Sequence, residues 1–159
     1  RAKFPSGNLC VTDPVGPQII FMENNNNLEK RKWSAEETER FYKNLLEKAL
    51  ETIPESGAVM VLGPMFKLRT PEENFVLFEK AQAELKTKDI EVFNQLPFVD
   101  YMIGNAPFEY GTKFEIFYKN LILSGKITAC YLLPDWEQSE GTKSEIEYCK
   151  QAGVPIYNL

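Results

Sequence analysis

The chain of 159 residues contains no histidine. That absence excludes Ser-His-Asp and Cys-His catalysis, and any His-ligated zinc, within this chain. Neither a Walker loop nor a GxGxxG fingerprint is present, which sets aside P-loop nucleotide hydrolysis and dinucleotide oxidoreduction. Basic charge is scarce: 18 Lys and Arg face 23 Asp and Glu, for a net charge of −5. With no Lys/Arg stripe interleaved with aromatics, a nucleic-acid polymer is not an expected partner. No apolar run approaches the length of a membrane span, so no membrane partner is expected. The three cysteines, Cys10, Cys130 and Cys149, lack CxxC spacing and read as buried free thiols in a reducing cytoplasm. No secretory leader is recognisable, and the start at Arg1 leaves room for an upstream segment. No compact ligand cluster suggests a metal, and no cofactor is expected.

What remains for acid–base chemistry is carboxylates, tyrosines and lysines. Hydrophobic residues make up 43% of the chain, enough for one compact domain with a sizeable core. Residues 18–22 form a short apolar run that could be a strand, and residues 24–27 are a polar loop. Phe41, Leu45, Leu46, Ala49 and Leu50 recur at helical spacing and predict a helix over 35–51. Strands are predicted at 58–62, 90–94, 127–133 and 154–157, with helices at 71–85, 113–123 and 143–152; residues 95–111 show no usable pattern. Helices alternating with nearly continuous apolar strands predict an α/β three-layer sandwich of flavodoxin/Rossmann-like type. Its central sheet would be mostly parallel, with about five strands. Residues 58–159 would form the core, and residues 1–57 an N-terminal extension adding a possible strand and a helix to the same domain.

Right-handed crossovers put the loops after the strands on the carboxyl edge of such a sheet, where ligands bind. That brings Gly63-Pro64-Met65 and the loop from Pro134 to Gly141 together. Gly63 would let backbone approach a ligand closely, Pro64 would stiffen the turn, and Lys67 and Arg69 could supply positive charge to an anion. Ser139 offers a hydroxyl and Gly141 flexibility beside the free N–H groups of a helix start. Trp136 could wall a base or simply cover the loop. Glu145 would lie in the first helical turn, where the helix dipole favours the ionised form and a nucleophile or general base could be held. Thr142-Lys143-Ser144-Glu145 is equally a capping box, and the pattern recurs at Ser34 to Glu37 and Thr70 to Glu73. On spacing alone the cap is the commoner explanation.

A resemblance shifts that balance. Leu132-Leu133-Pro134-Asp135-Trp136-Glu137-Gln138-Ser139-Glu140-Gly141-Thr142-Lys143-Ser144-Glu145 resembles the signature loop and helix of nucleoside 2-deoxyribosyltransferase-like domains, which include 2′-deoxynucleoside 5′-phosphate N-hydrolase-like domains. Val59 to Met65 is similar to their opening strand with Gly-Pro-Met, Asn74-Phe75 and Phe78 to their following helix, and Val154-Pro155-Ile156-Tyr157 to their closing strand. The resemblance implies a glutamate nucleophile that attacks the anomeric carbon of a nucleoside or nucleotide, and Glu145 holds that position. It places Asp135, Trp136, Ser139, Gly141 and Thr142 among the substrate contacts with Gly63, Pro64, Met65, Lys67 and Arg69. Relatives with a serine six residues before the nucleophile act on 5′-monophosphates, and Ser139 stands there. The family's base-protonating aspartate aligns with Asn120, which cannot deliver a proton; Glu115 and Asp100 are candidates to assist instead. The implied activity is an N-glycosidase of (deoxy)nucleoside 5′-monophosphates. Base exchange between nucleosides and a non-catalytic nucleotide-binding module are the alternatives. A homo-oligomer is implied by the resemblance alone.

Overall fold

The computed structural model describes residues 33–106 and 112–159. The expected strand at 18–22 lies outside them. The described chain is a mixed α/β fold: α1 (Ala35–Glu51), β1 (Ala58–Leu62), α2 (Pro71–Thr87), α3 (Leu96–Asn105), α4 (Thr112–Leu123), β2 (Ile127–Leu132), α5 (Glu140–Ala152) and β3 (Ile156–Asn158), with a 3-10 turn at Trp136–Gln138. The strands form an open parallel sheet in the order β1-β2-β3. Among the described residues the sheet has three strands, not about five.

β1 is buried along its whole length because helices cover both of its faces. Ala58, Met60 and Leu62 join the larger core with Tyr42, Leu45 and Ala49 of α1, Val99 and Met102 of α3, Phe117, Leu121 and Ile122 of α4, and Ile146 of α5. Val59 and Val61 point the other way, into a smaller core with Phe78, Ala81 and Leu85 of α2. This is the two-residue alternation of a strand serving two layers. Helix α1 is thus an integral wall of the main core.

The expected strand at 90–94 reduces to one parallel bridge, Val59 with Val92. The chain leaves the sheet because Gln95 turns inward and its side-chain amide donates to the Val61 carbonyl at 2.5 Å, taking the place of a continuing ladder. The Asn94 side chain accepts from the Leu96 N–H at 3.2 Å, and α3 begins there. Pro97 sits in the first turn of α3, where a missing N–H costs nothing. The sequence pattern of residues 95–111 concealed this helix because its prolines and glycines read as breakers.

Helix α5 starts at Glu140, three residues before its expected start at 143. Ser139 is its N-cap, with the side-chain oxygen accepting from the Thr142 N–H at 3.3 Å. The Thr142–Glu145 capping box therefore does not form. The other two boxes do: Ser34 with Glu37, and Thr70 with Glu73.

Candidate functional site

Three segments converge at the carboxyl edge of the sheet: the end of β1 with its following loop, the N-terminal half of α4, and the start of α5. They enclose a cavity of about 310 Å³. Its wall includes Gly63, Met65, Lys67, Ser139, Gly141, Thr142 and Glu145. Seven of the twelve residues singled out from the sequence are thus brought together. Pro64, Arg69, Asn120, Asp135 and Trp136 are not part of the wall.

The loop after β1 is held by Asn74, whose buried side-chain amide donates to the carbonyls of Met65 and Lys67 at 3.1 Å and of Arg69 at 3.5 Å. One side chain thus fixes the path on which Met65, Phe66 and Lys67 face the cavity. Leu68 in the same loop adopts φ 71°, and Asp135 in the loop after β2 adopts φ 65°. Both are left-handed conformations uncommon outside glycine, a local strain that surrounding contacts must hold. Arg69 and Asp135 join the two loops through an ion pair at 2.8 Å. They serve each other, and Arg69 is not directed at the cavity. Trp136 packs against the main core as part of the 3-10 turn.

Gly63 lines the cavity, yet its lack of a side chain serves packing. A Cβ there would lie 2.8 Å from the Leu133 Cβ. The close approach is between neighbouring strand ends, whereas the sequence suggested an approach to ligand.

Lys67 is exposed at the rim. Glu140, at the first position of α5, is exposed, and its carboxyl is held below the usual range by a hydrogen bond from Lys143, with a smaller contribution from Lys67. The mouth therefore combines a helix N-terminus and a lysine, while the nearby Glu140 carboxylate is paired with Lys143.

Glu145 lies in the second turn of α5, beyond the reach of the N-cap. It keeps partial solvent contact through the cavity but is otherwise enclosed by protein. Burial, then the neighbouring Cys149 and Glu115, push its carboxyl up to about 8. The expectation of an ionised first-turn carboxylate is thus reversed: desolvation outweighs a dipole effect that fades within the first turn. Cys130 and Cys149, both buried free thiols, are in contact at 3.4 Å behind it.

Several wall residues were not singled out from the sequence as site residues. Tyr118 and Phe114 project from α4 at helical spacing, Phe78 comes from α2, and Gln95 from the start of α3. Phe66 and Phe114 meet with ring centroids 5.2 Å apart, giving the wall an aromatic stretch. The hydroxyls of Tyr118 and Thr142 are buried without a hydrogen-bond partner. The one available signal was the Phe114–Tyr118 spacing, which does not distinguish cavity wall from core. Glu115, between them, accepts a short hydrogen bond from the Tyr148 hydroxyl. Asp100 is exposed on α3, and Asn120 is exposed on α4. Among the described residues no group of three or more Cys, Asp or Glu could hold a metal ion. No helix among them is long and apolar enough to cross a membrane.

Fold and site together define a parallel α/β protein with a carboxylate-bearing cavity at the carboxyl edge of its sheet. Residues 42–158 match the family described as Domain of unknown function (DUF4406), and the chain belongs to that family. No curated protein and no solved structure matches the chain.

Proposed function

We propose that the protein is an N-glycosidase that cleaves the glycosidic bond of a (deoxy)nucleoside 5′-monophosphate, with Glu145 as nucleophile. The observation that carries this reading is the position of Glu145 in the wall of a cavity, freed from any capping role by Ser139. A carboxylate there can form a glycosyl ester as the base departs with the electron pair of the glycosidic bond and takes a proton from solvent. Water then resolves the ester, releasing the sugar phosphate and the free carboxylate. The phosphate would rest at the mouth, against the α5 N-terminus, Ser139 and Lys67. The base would occupy the stretch lined by Phe66 and Phe114. Asn120 has no part in base departure in this reading, because it is exposed and not part of the cavity wall. A cytoplasmic setting and a homo-oligomeric assembly accompany the reading.

The raised carboxyl of Glu145 sets the pH dependence. With the group at about 8, roughly one molecule in ten carries the nucleophilic carboxylate at pH 7. The rate at limiting substrate should therefore rise with pH and level off above about 8. The same observation favours a second reading, a non-catalytic nucleotide-binding module in which Glu145 acts as a neutral hydrogen-bond donor.

The test is base release from a panel of nucleosides and their 5′-monophosphates, with Glu145→Gln alongside. Release from monophosphates that vanishes in the variant supports the hydrolase. Release that needs an added acceptor base indicates base exchange. Binding without turnover in either protein supports the module.

A further inference from the structure

The far edge of the sheet lies outside the cavity wall and has features of its own. β3 is the last strand in the order β1-β2-β3, so only one of its sides is paired. The Pro155 carbonyl accepts from the Cys130 N–H at 2.9 Å, and the Leu159 N–H donates to the Leu132 carbonyl at 3.0 Å. Backbone groups alternate in direction along a strand. Pro155, Tyr157 and Leu159 therefore direct theirs at β2, and Ile156 and Asn158 direct theirs outward. Among the described residues no strand pairs with that outward side.

Natural sheets blunt such an edge with charge, with a bulge, or with a proline whose missing N–H faces out. Residues 153–159 carry no charged side chain, and the register of β3 on β2 has no shift. Pro155 is turned toward β2, so it leaves the outer side open. Only the length of β3, three residues, limits what can pair with it. The side chains add to this. Val61, Tyr131 and Tyr157 form one cross-strand row on the face that α2 covers over β1. Along that row burial falls away: Val61 is buried, Tyr131 half-buried and Tyr157 50% exposed. The two tyrosine rings stack on each other at 5.2 Å between centroids. An uncharged aromatic face thus adjoins an unpaired strand edge.

We infer that β3 is a docking surface for a second copy of this chain, paired antiparallel about a twofold axis at Tyr157, so that the two sheets become continuous. This surface stands whether or not Glu145 is a nucleophile. An axis at Tyr157 sets Ile156 opposite Asn158 of the partner subunit, and the outward groups of both exchange backbone hydrogen bonds. Tyr157 then meets its own counterpart as a non-hydrogen-bonded pair, with Cα atoms about 4.5 Å apart, where side chains approach most closely. The Tyr131–Tyr157 stacks of both copies join in one aromatic row, a cross-strand arrangement that stabilises sheets. Charge selects a second copy as the occupant. In a twofold contact each patch meets itself, so a net charge in the patch is self-repelling. The chain carries −5, which opposes self-association, and residues 153–159 are an exposed stretch without that opposition. A strand this short gives an interface at the small end of the usual range, with an expected dissociation constant of roughly 1–100 µM.

The experiment is sedimentation equilibrium of the full chain over about 1–500 µM, a span set by that constant, with three variants alongside. The parent should dimerise. Tyr157→Lys sets like charges face to face and should weaken the dimer by at least about tenfold. Asn158→Pro deletes an outward N–H that the monomer does not use and should weaken the dimer similarly. Both variants should melt with the parent when dilute, which separates lost association from lost folding. In Tyr157→Cys the introduced thiols stand within the span of a disulfide, so oxidised glutathione should yield covalent dimer beyond the parent's level. A parent that stays monomeric throughout overturns the inference and leaves the edge to another occupant. A dimer that Tyr157→Lys and Asn158→Pro leave intact, or one that Tyr157→Cys does not cross-link, overturns it as well.

Discussion

The same four-residue pattern, a Ser or Thr followed three positions later by Glu, stands at Ser34–Glu37, Thr70–Glu73 and Thr142–Glu145, and the structure treats these three in two ways. At Ser34–Glu37 and Thr70–Glu73 the hydroxyl accepts from the N3 backbone and the carboxylate accepts from the N-cap backbone, at distances of 2.8–3.2 Å. At Thr142–Glu145 neither bond forms, because Ser139 has already capped α5. The first two glutamates are exposed or half-buried near solvent and close a helix end. The third is carried one turn inward, into a cavity wall, where desolvation raises its carboxyl to about 8. The difference arises from where the helix begins, and an upstream serine decides that.

The largest test of this contrast is activity. Glu145→Gln should lower base release by at least about a thousandfold, the order seen when a nucleophile is removed. Glu73→Gln, with the same local pattern, should leave the rate within about twofold. Equal effects at both positions would erase the distinction between cap and nucleophile.

Stability should separate Glu145 by sign. Its folded value, about 8, lies above the ordinary 4.5. Between those values the unfolded chain releases this proton while the native protein retains it, so the contribution to stability is fully present below about pH 4.5 and is lost as pH rises through 8. The full shift corresponds to several kcal/mol, which partial solvent contact reduces to about 3 kcal/mol. Glu145→Gln should therefore be more stable than the parent at pH 8 by up to that amount, and nearly equal to it at pH 4.5. Urea unfolding at the two pH values measures the difference. A variant less stable than the parent at both would return Glu145 to a structural role.

Legibility from sequence followed the same division. The periodic helices α1, α2 and α4 and the apolar strands β1 and β2 were readable because burial on fixed faces imposes their spacing. The convergence of the two loops was readable because topology places loops after parallel strands on one edge. What could not be read depended on side chains taking over backbone roles. Gln95 caps the Val61 carbonyl and ends the strand expected at 90–94, and no periodicity announces that. Ser139 moves the start of α5 by one turn, and a competing Thr-x-x-Glu pattern masked it. Tyr118 was hidden because a cavity wall and a core present the same apolar helix face.

The two loops can be compared in the same manner. The loop after β1 is held from within by Asn74, and is tied to the loop after β2 by the exposed Arg69–Asp135 pair. Asn74→Ala would leave part-buried carbonyls without their donor beside the left-handed Leu68, at a cost of about 1 kcal/mol, and should raise KM as Lys67 and Phe66 lose their positions. Arg69→Ala removes only a solvent-screened pair and should cost less than about 1 kcal/mol. Thermal melting with KM measurements on the two variants ranks them. A larger loss from Arg69→Ala would make the ion pair, not the buried amide, the element that holds the mouth.

The smallest expected effect bears most directly on the capping contrast. If α5 begins where the Ser139 bond places it, Ser139→Ala should cost about 1 kcal/mol, as should Ser34→Ala at α1. Thr142→Val should then cost nothing or stabilise slightly, since the hydroxyl it removes is buried and unpaired. Were Thr142 the true N-cap, the two outcomes would exchange: Thr142→Val would lose about 1 kcal/mol and Ser139→Ala would be silent. Chemical denaturation of the three variants against the parent resolves differences of this size when the slopes are shared. The exchanged result would draw Glu145 back to the helix start, and with it every inference that depends on its place in the cavity wall.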